Sequence, residues 1–436
     1  NSQPSGCRGT VSRAVLQCVP AGMAQYIPLK ACGGQEADAS AVAAFKRKLD
    51  HMVQDSITVA IAAVADRIGL FELLARHTNV ANDAYLTVER ICELGQLQAR
   101  YVKEICGCLA CAGFLAYSPE VDGFALEPAQ SEVLANEDFE RFGAGWFDEV
   151  PCLYRAIPGV VKATKEPDKL IGVPFCQQSE WGFSRGMERN NGPGIKSSLA
   201  RSWLPKSLPE MVDRLKSGIK VADLGTGAGA VAFALANAFP ASSVLGIDLD
   251  QRSIDRANAN NPGLTNLTFR CADMADIEPA TFDLIVNHDC IHDLGDPVTV
   301  LRAVRRALKP EGVFFSMEPR TLGETLRENF TAANKYEHVR GAISAAYGIS
   351  TLHCLTVSCA HGGCGLGCAT FGRRTYERLA RRAGFTEFKV TGGNTSDTFY
   401  AISGGSDGSP VSCLSSSTLG ASPRRSPSST KFPFCF

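Results

Sequence analysis

From residue 219 to residue 317 short apolar runs alternate with helical ones, and this rhythm leaves the chain few folds to choose from. Residues 219–224, 243–249, 266–271, 282–287 and 313–317 read as strands, each too short and too apolar for a surface helix. Residues 228–239 and 297–308 read as helices between them. Strands that are apolar throughout, each followed by a helix, predict a parallel sheet covered on both faces. Sheets of this kind bind ligands outside the carboxyl ends of their strands. The residues with the clearest chemistry fall at those ends.

The strongest of them is Val221-Ala-Asp-Leu-Gly-Thr-Gly-Ala-Gly229, where the first strand meets its helix. Gly225, Gly227 and Gly229 let the backbone turn tightly and approach a ligand, and the amides that follow offer donors to an anionic group. Asp223 distinguishes this loop from a nucleotide-dehydrogenase loop, because a carboxylate there suits a cationic amino-acid headgroup better than a pyrophosphate. Asp248 ends the second strand, nineteen residues after Gly229, where an acid accepts ribose hydroxyls. Asp273 and Met274 follow the third strand, placed to take an adenine amino group and to cover its ring. Asp273 also has a reading as a helix N-cap.

These motifs resemble those of the class I S-adenosylmethionine-dependent methyltransferases, over roughly residues 215–403. The resemblance rests on Asp223-Leu-Gly-Thr-Gly-Ala-Gly229, Gly246-Ile-Asp248, Cys271-Ala-Asp-Met274 and Leu308-Lys-Pro-Glu-Gly312. Ser202-Trp-Leu-Pro205, Asp289-Cys-Ile-His-Asp-Leu-Gly-Asp-Pro297, Met317-Glu-Pro319, Arg327-Glu-Asn329 and Arg382-Ala-Gly-Phe385 are similar to a bacterial-type subfamily with an N-terminal winged helix. The resemblance implies an α/β fold with a doubly wound, mostly parallel seven-stranded sheet, preceded by a helical winged-helix domain. It implies S-adenosyl-L-methionine as cofactor, with Asp223, Gly225 and Gly227 at its methionine part and Thr226, Gly229 and Leu249 also among the cofactor-binding residues. Asp248 would hold the ribose, Asp273 and Met274 the adenine, while Asn287 and His288 would face the cofactor. Residues 351–368 depart from the subfamily pattern, being rich in Cys and His where Ser and Gly are expected.

His292 follows the fourth strand and is the expected general base, since methylating an oxygen requires its proton to be removed. Glu318, at the end of the fifth strand, is the second catalytic candidate. A histidine packed beneath the cofactor is the plainer reading of His292. The group Cys354, Cys359, His361, Cys364 and Cys368 fits no common zinc spacing, and no metal is expected.

Ahead of the sheet, residues 41–75 carry one long helical pattern. Residues 86–94 and 98–112 read as two short helices, followed by a hairpin at 113–126. Helix, turn, helix and hairpin make a winged helix, yet acids outnumber bases across residues 81–130, so dimerisation or pocket closure is expected rather than nucleic-acid binding. Whole-chain charge adds nothing to a nucleic-acid or membrane reading, with 44 Lys and Arg against 45 Asp and Glu. No stretch reaches about 18 uninterrupted apolar residues, so no membrane partner is expected. The segment between the domains carries Trp146, Phe147, Tyr154, Phe175, Trp181, Phe183 and Trp203, candidate walls of an acceptor pocket. Arg185 and Arg189 there are candidate grips for a carboxylate.

The expected organisation is a disordered leader (1–40), a winged-helix dimerisation domain (41–135), a helical linker and acceptor region (136–214), the methyltransferase domain (215–403) and a disordered tail (404–436). Seventeen cysteines, odd in number and set in apolar runs, suit buried free thiols in the cytoplasm. The acid-free leader keeps an organelle as the alternative location. The expected activity is methylation of a small-molecule acceptor, an oxygen favoured, by a homodimer. Alternatives are a thioether acceptor such as methylthio-hydroxybutyrate, on the way to dimethylsulfoniopropionate, and a non-catalytic winged-helix regulator that senses the cofactor. A nicotinamide-dependent oxidoreductase is a further rival, against which Asp223 and Asp273 both speak.

Overall fold

The computed structural model describes residues 37–404 except Cys364; all but the first residue of the expected tail and all but the last four of the expected leader lie outside the described residues. Two compact units divide at Ser56 and Ile57. The described part of the first is the opening half of the helix Ala39–Arg67, on which Val42, Phe45, Leu49, Met52 and Val53 are exposed. The single helix expected over 41–75 is two, Ala39–Arg67 and Leu70–His77, because Gly69 takes a left-handed conformation (φ 70°) that ends regular helix.

The second unit contains both layers of the chain's chemistry. Its N-terminal layer sets the helices Val88–Gly95 and Ala99–Cys111 beside a small antiparallel sheet of β1 (Leu86–Thr87), β2 (Ala116–Ser118) and β3 (Gly123–Ala125), in the order β1-β3-β2. Thr87 caps the first helix by accepting from Arg90 N–H, which fixes where strand gives way to helix. Phe71, Leu74, Ile91, Val102, Leu109 and Phe124 form its core.

The larger sheet has seven strands: β4 (Lys220–Leu224), β5 (Ser243–Asp248), β6 (Leu267–Cys271), β7 (Phe282–His288), β8 (Leu308–Pro319), β9 (Glu387–Gly393) and β10 (Asp397–Ser403). Their order is β6-β5-β4-β7-β8-β10-β9, and β10 alone runs antiparallel to its neighbours. This is the doubly wound, mostly parallel sheet expected from the sequence. One apolar core lies on each face: Ile285, Leu301, Phe314 and Tyr376 on one, Leu235, Leu284, Phe315 and Phe399 on the other. The order in which successive strands join the sheet reverses between the parallel strands β4 and β7, so the crevice for a ligand opens at their carboxyl ends.

A helical run, Glu337–Ala360, passes the length and composition test for crossing a membrane, although no uninterrupted apolar stretch had marked it. Its second half is built into this unit. Ser358 Oγ donates to Leu294 O (2.8 Å) and Val173 N–H donates to Thr356 Oγ1 (2.7 Å), while Ser350–Cys354 forms a π-helical turn. Among the described cysteines Cys106, Cys152 and Cys354 are buried free thiols, whereas Cys111, Cys176 and Cys271 are exposed, so burial is less general than expected.

Candidate active site

The crevice holds a cavity of about 810 Å³, within the range that takes a drug-sized ligand. Its floor is the glycine loop. Gly225 and Thr226 donate their N–H groups to Ile247 O, and Gly225, Gly227 and Gly229 all have positive φ (67°, 53° and 93°). A Cβ at Gly225 would lie 3.0 Å from Cys290, whereas at Gly227 it would meet open space. Asp223, fully buried at the end of β4, accepts from Thr226 Oγ1 (2.6 Å) and Ala232 N–H (3.2 Å). Burial pushes its carboxyl up to about 7, against those hydrogen bonds and the nearby His288. Asp248 accepts from Gly227 N–H (2.8 Å) and Asp250 N–H (2.9 Å), one on each oxygen, which aims the carboxylate while lone pairs on both stay available.

Asp223, Gly225, Thr226, Gly227, Asp248, Leu249, Asp273, Met274 and His288 all line this one cavity. Asp273 is also the N-cap of a 3-10 turn, accepting from Ala275 N–H, so its two readings hold together. Gly229 shapes the turn without reaching the wall. His288 lies 3.5 Å from Asp397 Oδ2; burial would lower its pKa, but this carboxylate raises it to about 9.

Three expectations are corrected. Asn287 points behind the wall and donates to Glu318 Oε1 (2.7 Å). Glu318 is fully buried, accepting also from Ile291 N–H and pairing its Oε2 with His292 Nδ1 at 2.7 Å. His292 itself sits one layer below the cavity wall, between Glu318 and Asp293, its Nε2 3.1 Å from Asp293 Oδ1. Burial opposes its charge, yet the two carboxylates win and hold its pKa well above the usual range. An imidazole off the wall, with a carboxylate at each of its nitrogens, presents no free lone pair to a substrate. The plainer reading, a histidine packed beneath the site, fits its position better.

The cavity wall instead carries groups to which the sequence had given no role in the site, although Asp289 and Asp293 lie within the motif of residues 289–297. Asp289 has a left-handed backbone (φ 61°), a buried Oδ1 without a hydrogen-bond partner, and a carboxyl raised to about 6 by burial. Asp293, His353 and His361 line the same wall. His292, Asp293 and Cys354 bring donor atoms within 4.8 Å of one another. Asp223, Asp248, Asp250, Asp273, Asp289, Asp293, Asp296 and Glu188 ring the cavity, with no Lys or Arg among the described lining residues.

The expected carboxylate grip is also absent from the wall. Arg189 is buried against Asp66, Asp148 and Glu137, and the exposed Arg185 pairs with Asp148. Of the seven aromatic candidates Phe175 lines the cavity, Phe183 stacks behind it on His353, and Trp203 packs on Phe399. Such a site suits a ligand that is cationic near Asp223, bears a ribose at Asp248 and a flat ring at Met274. S-adenosyl-L-methionine has those three parts, and the open space at Gly227 and the aimed lone pairs of Asp248 fit it.

Comparison with known proteins agrees with this geometry. Residues 215–384 match a family described as "Methyltransferase domain". A ubiquinone biosynthesis O-methyltransferase of Neisseria meningitidis is 32% identical over 105 residues, 23% of this chain and 44% of that protein. An arsenite methyltransferase of Aquipseudomonas alcaligenes is 37% identical over 130 residues, 26% of this chain and 38% of that protein. The chain thus spans about two-fifths of the length of these relatives. Among solved structures, mitomycin 7-O-methyltransferase superposes with a TM-score of 0.58 at 14% identity, covering 84% of this chain and all of the other. Human N-acetylserotonin methyltransferase in complex with S-adenosylmethionine gives 0.53 at 17%, covering 85% and 99%.

Proposed function

We propose, from the premise that residues 215–384 of this chain are a class I methyltransferase domain, that it uses S-adenosyl-L-methionine to methylate a small molecule at oxygen. One observation carries the reading. Asp223, the glycine loop, Asp248 and Met274 converge on a single acid-rich cavity without a lining cation among the described residues. When bound, the cofactor supplies an electrophilic methyl on a sulfonium; everything else falls to the chain. Asp223 anchors the cationic headgroup of the ligand and Asp248 its ribose, and the apolar wall formed by Phe175, Met187, Ile195 and Val357 excludes water from the acceptor.

Alignment of acceptor and methyl accounts for most of the acceleration, effective molarities of about 10⁵ to 10⁸ M being within reach of positioning alone. The acid ring disfavours a carboxylate acceptor by like-charge repulsion, and a neutral hydroxyl enters without that penalty. Solved neighbours titled as O-methyltransferases support an oxygen acceptor. The thioether acceptor and the cofactor-sensing regulator draw no comparable support. Homodimerisation belongs to the proposal, since Val42, Phe45, Leu49 and Met52 repeat at heptad spacing on an exposed helix face. So does the cytoplasm, which suits the buried thiols.

Calorimetry with S-adenosylmethionine on the intact chain and on Asp248→Ala tests the reading. Each charge-assisted hydrogen bond lost costs about 1.5 to 3 kcal/mol, so Asp248→Ala should bind on the order of 10- to 100-fold more weakly. Absence of binding to the intact chain would remove the reading.

A further inference from the structure

We infer that Asp289 reads the charge on the cofactor's sulfur, its carboxylate pairing with the sulfonium of S-adenosylmethionine and losing that partner in S-adenosylhomocysteine. The inference rests on the methyltransferase reading and deepens it by naming the residue that separates the substrate form of the cofactor from the product form.

Asp289 is placed by its backbone. It follows β7 directly, and its N–H donates to Met317 O (2.8 Å) on β8. Its φ of 61° is an unfavourable conformation for a residue with a Cβ, and strain of this kind collects at functional sites. The next residue, Cys290, closes against the glycine loop: its Sγ donates to Leu224 O (3.5 Å), and a Cβ at Gly225 would approach it to 3.0 Å. Asp289 is thereby fixed on the cavity wall beside the loop assigned to the methionine part.

A carboxylate held so firmly ordinarily finds a donor. The Oδ1 of Asp289 is buried and has no hydrogen-bond partner. The two imidazoles that favour its charge are matched elsewhere, His288 by Asp397 at 3.5 Å and His292 by Asp293 and Glu318 at 3.1 and 2.7 Å. No Lys or Arg is found among the described lining residues. Burial raises the carboxyl to about 6, which leaves it ionised in mildly alkaline solution and in want of a cation.

S-adenosylmethionine brings two cations. Its α-ammonium belongs to Asp223, which is tied to the glycine loop through Thr226 Oγ1 (2.6 Å). Its sulfonium lies between that headgroup and the ribose at Asp248, with the methyl directed at the acceptor. Asp289 stands on the same side. Its charge reaches Glu149 of the helix Trp146–Thr164, and Glu149 accepts from Asn190 Nδ2 (2.7 Å) on the helix Phe183–Ser198, which supplies Met187 and Ile195 to the acceptor wall. Asp289 is thus set between the loop that holds the headgroup and the wall that faces the acceptor, which is where the sulfur must be.

On transfer the carbon–sulfur bond breaks with its electron pair left on sulfur, the methyl carbon bonds to the acceptor oxygen, and the acceptor proton goes to water. The sulfur is then neutral and Asp289 is again a buried carboxylate without a partner, which disfavours retention of the product. Because the charge on sulfur declines along the reaction, the contact selects between bound forms and adds nothing to the chemical step.

The test is calorimetry on the intact chain in mildly alkaline buffer with three ligands: S-adenosylmethionine, S-adenosylhomocysteine, and sinefungin, in which an amine-bearing carbon replaces the methylated sulfur. The first two share adenine, ribose and headgroup, so the ratio of their affinities isolates the methyl and its charge. In Asp289→Asn, S-adenosylmethionine and sinefungin should each bind about 10- to 100-fold more weakly, while S-adenosylhomocysteine should change by less than about threefold or tighten. Asparagine accepts a left-handed backbone as aspartate does. If Asp289→Asn nevertheless does not fold, Asp289→Gly removes the carboxylate, relieves the strain and should give the same shift in ratio. Equal weakening of all three ligands, weakening of S-adenosylmethionine without sinefungin, or no change in any would each overturn the inference and leave cofactor binding standing. A wild type that binds none of the three would overturn the methyltransferase reading itself.

Discussion

Asp223 is a carboxyl group held where water is scarce, and the cost appears in its proton affinity. With its pKa raised to about 7, the group is largely protonated at pH 6 and ionised at pH 8. A cationic ligand headgroup needs the ionised form, so binding releases a proton and affinity falls as the pH drops below about 7. S-adenosylmethionine should bind roughly tenfold more weakly at pH 6 than at pH 8. In Asp223→Asn the affinity should be weak and nearly flat over that window, and calorimetry in a buffer series measures both. Asp223 and Asp248 were legible in the sequence because their roles follow from position beside a recognisable loop. The place of His353 on the cavity wall was not, since it is set by contacts with Gln178 and Asp293, both distant in sequence. His292 misled for the same reason: its place after β7 was read correctly, but the two carboxylates around it were not visible.

At the level of elements, the glycine loop makes the sharpest separation between folding and binding. Gly225 is enclosed, whereas Gly227 faces open space. Gly227→Ala should therefore cost about 1 to 2 kcal/mol of stability from its positive φ alone. Its methyl would project into the cavity floor, so cofactor affinity should fall by more than tenfold; thermal melts and calorimetry on one preparation separate the two losses. The five parallel strands were readable because each is short, apolar and followed by a helix. β9 and β10 were not placed individually: β9 has exposed Glu387, Lys389, Gly392 and Gly393, which carry no strand periodicity, and β10 owes its position to pairing with β8. The long run Glu337–Ala360 was likewise passed over, its Ser and Gly blurring the helical pattern that packing then enforces.

Across the whole unit from Ile57 onward, Arg189 is the main ionic tie between the layers. It sits on the helix Phe183–Ser198 and bonds Asp66 through two nitrogens and Asp148 through one. Its pKa is raised further because those carboxylates outweigh the burial that opposes its charge. Arg189→Met would strand Asp66 without its cation and leave Asp148 only the exposed Arg185 and Arg67, at a cost of about 3 to 5 kcal/mol. Urea denaturation should register that loss as a lowered midpoint. The same helix presents Ser184, Met187, Glu188, Asn191 and Ile195 to the cavity. The border drawn by family likeness, at residue 215, therefore cuts through the binding chamber rather than around it. A fragment excised there would keep the loops that grip the nucleoside and lose the wall that faces the acceptor, so this unit is not a catalytic cassette that could be transplanted whole from one chain to another.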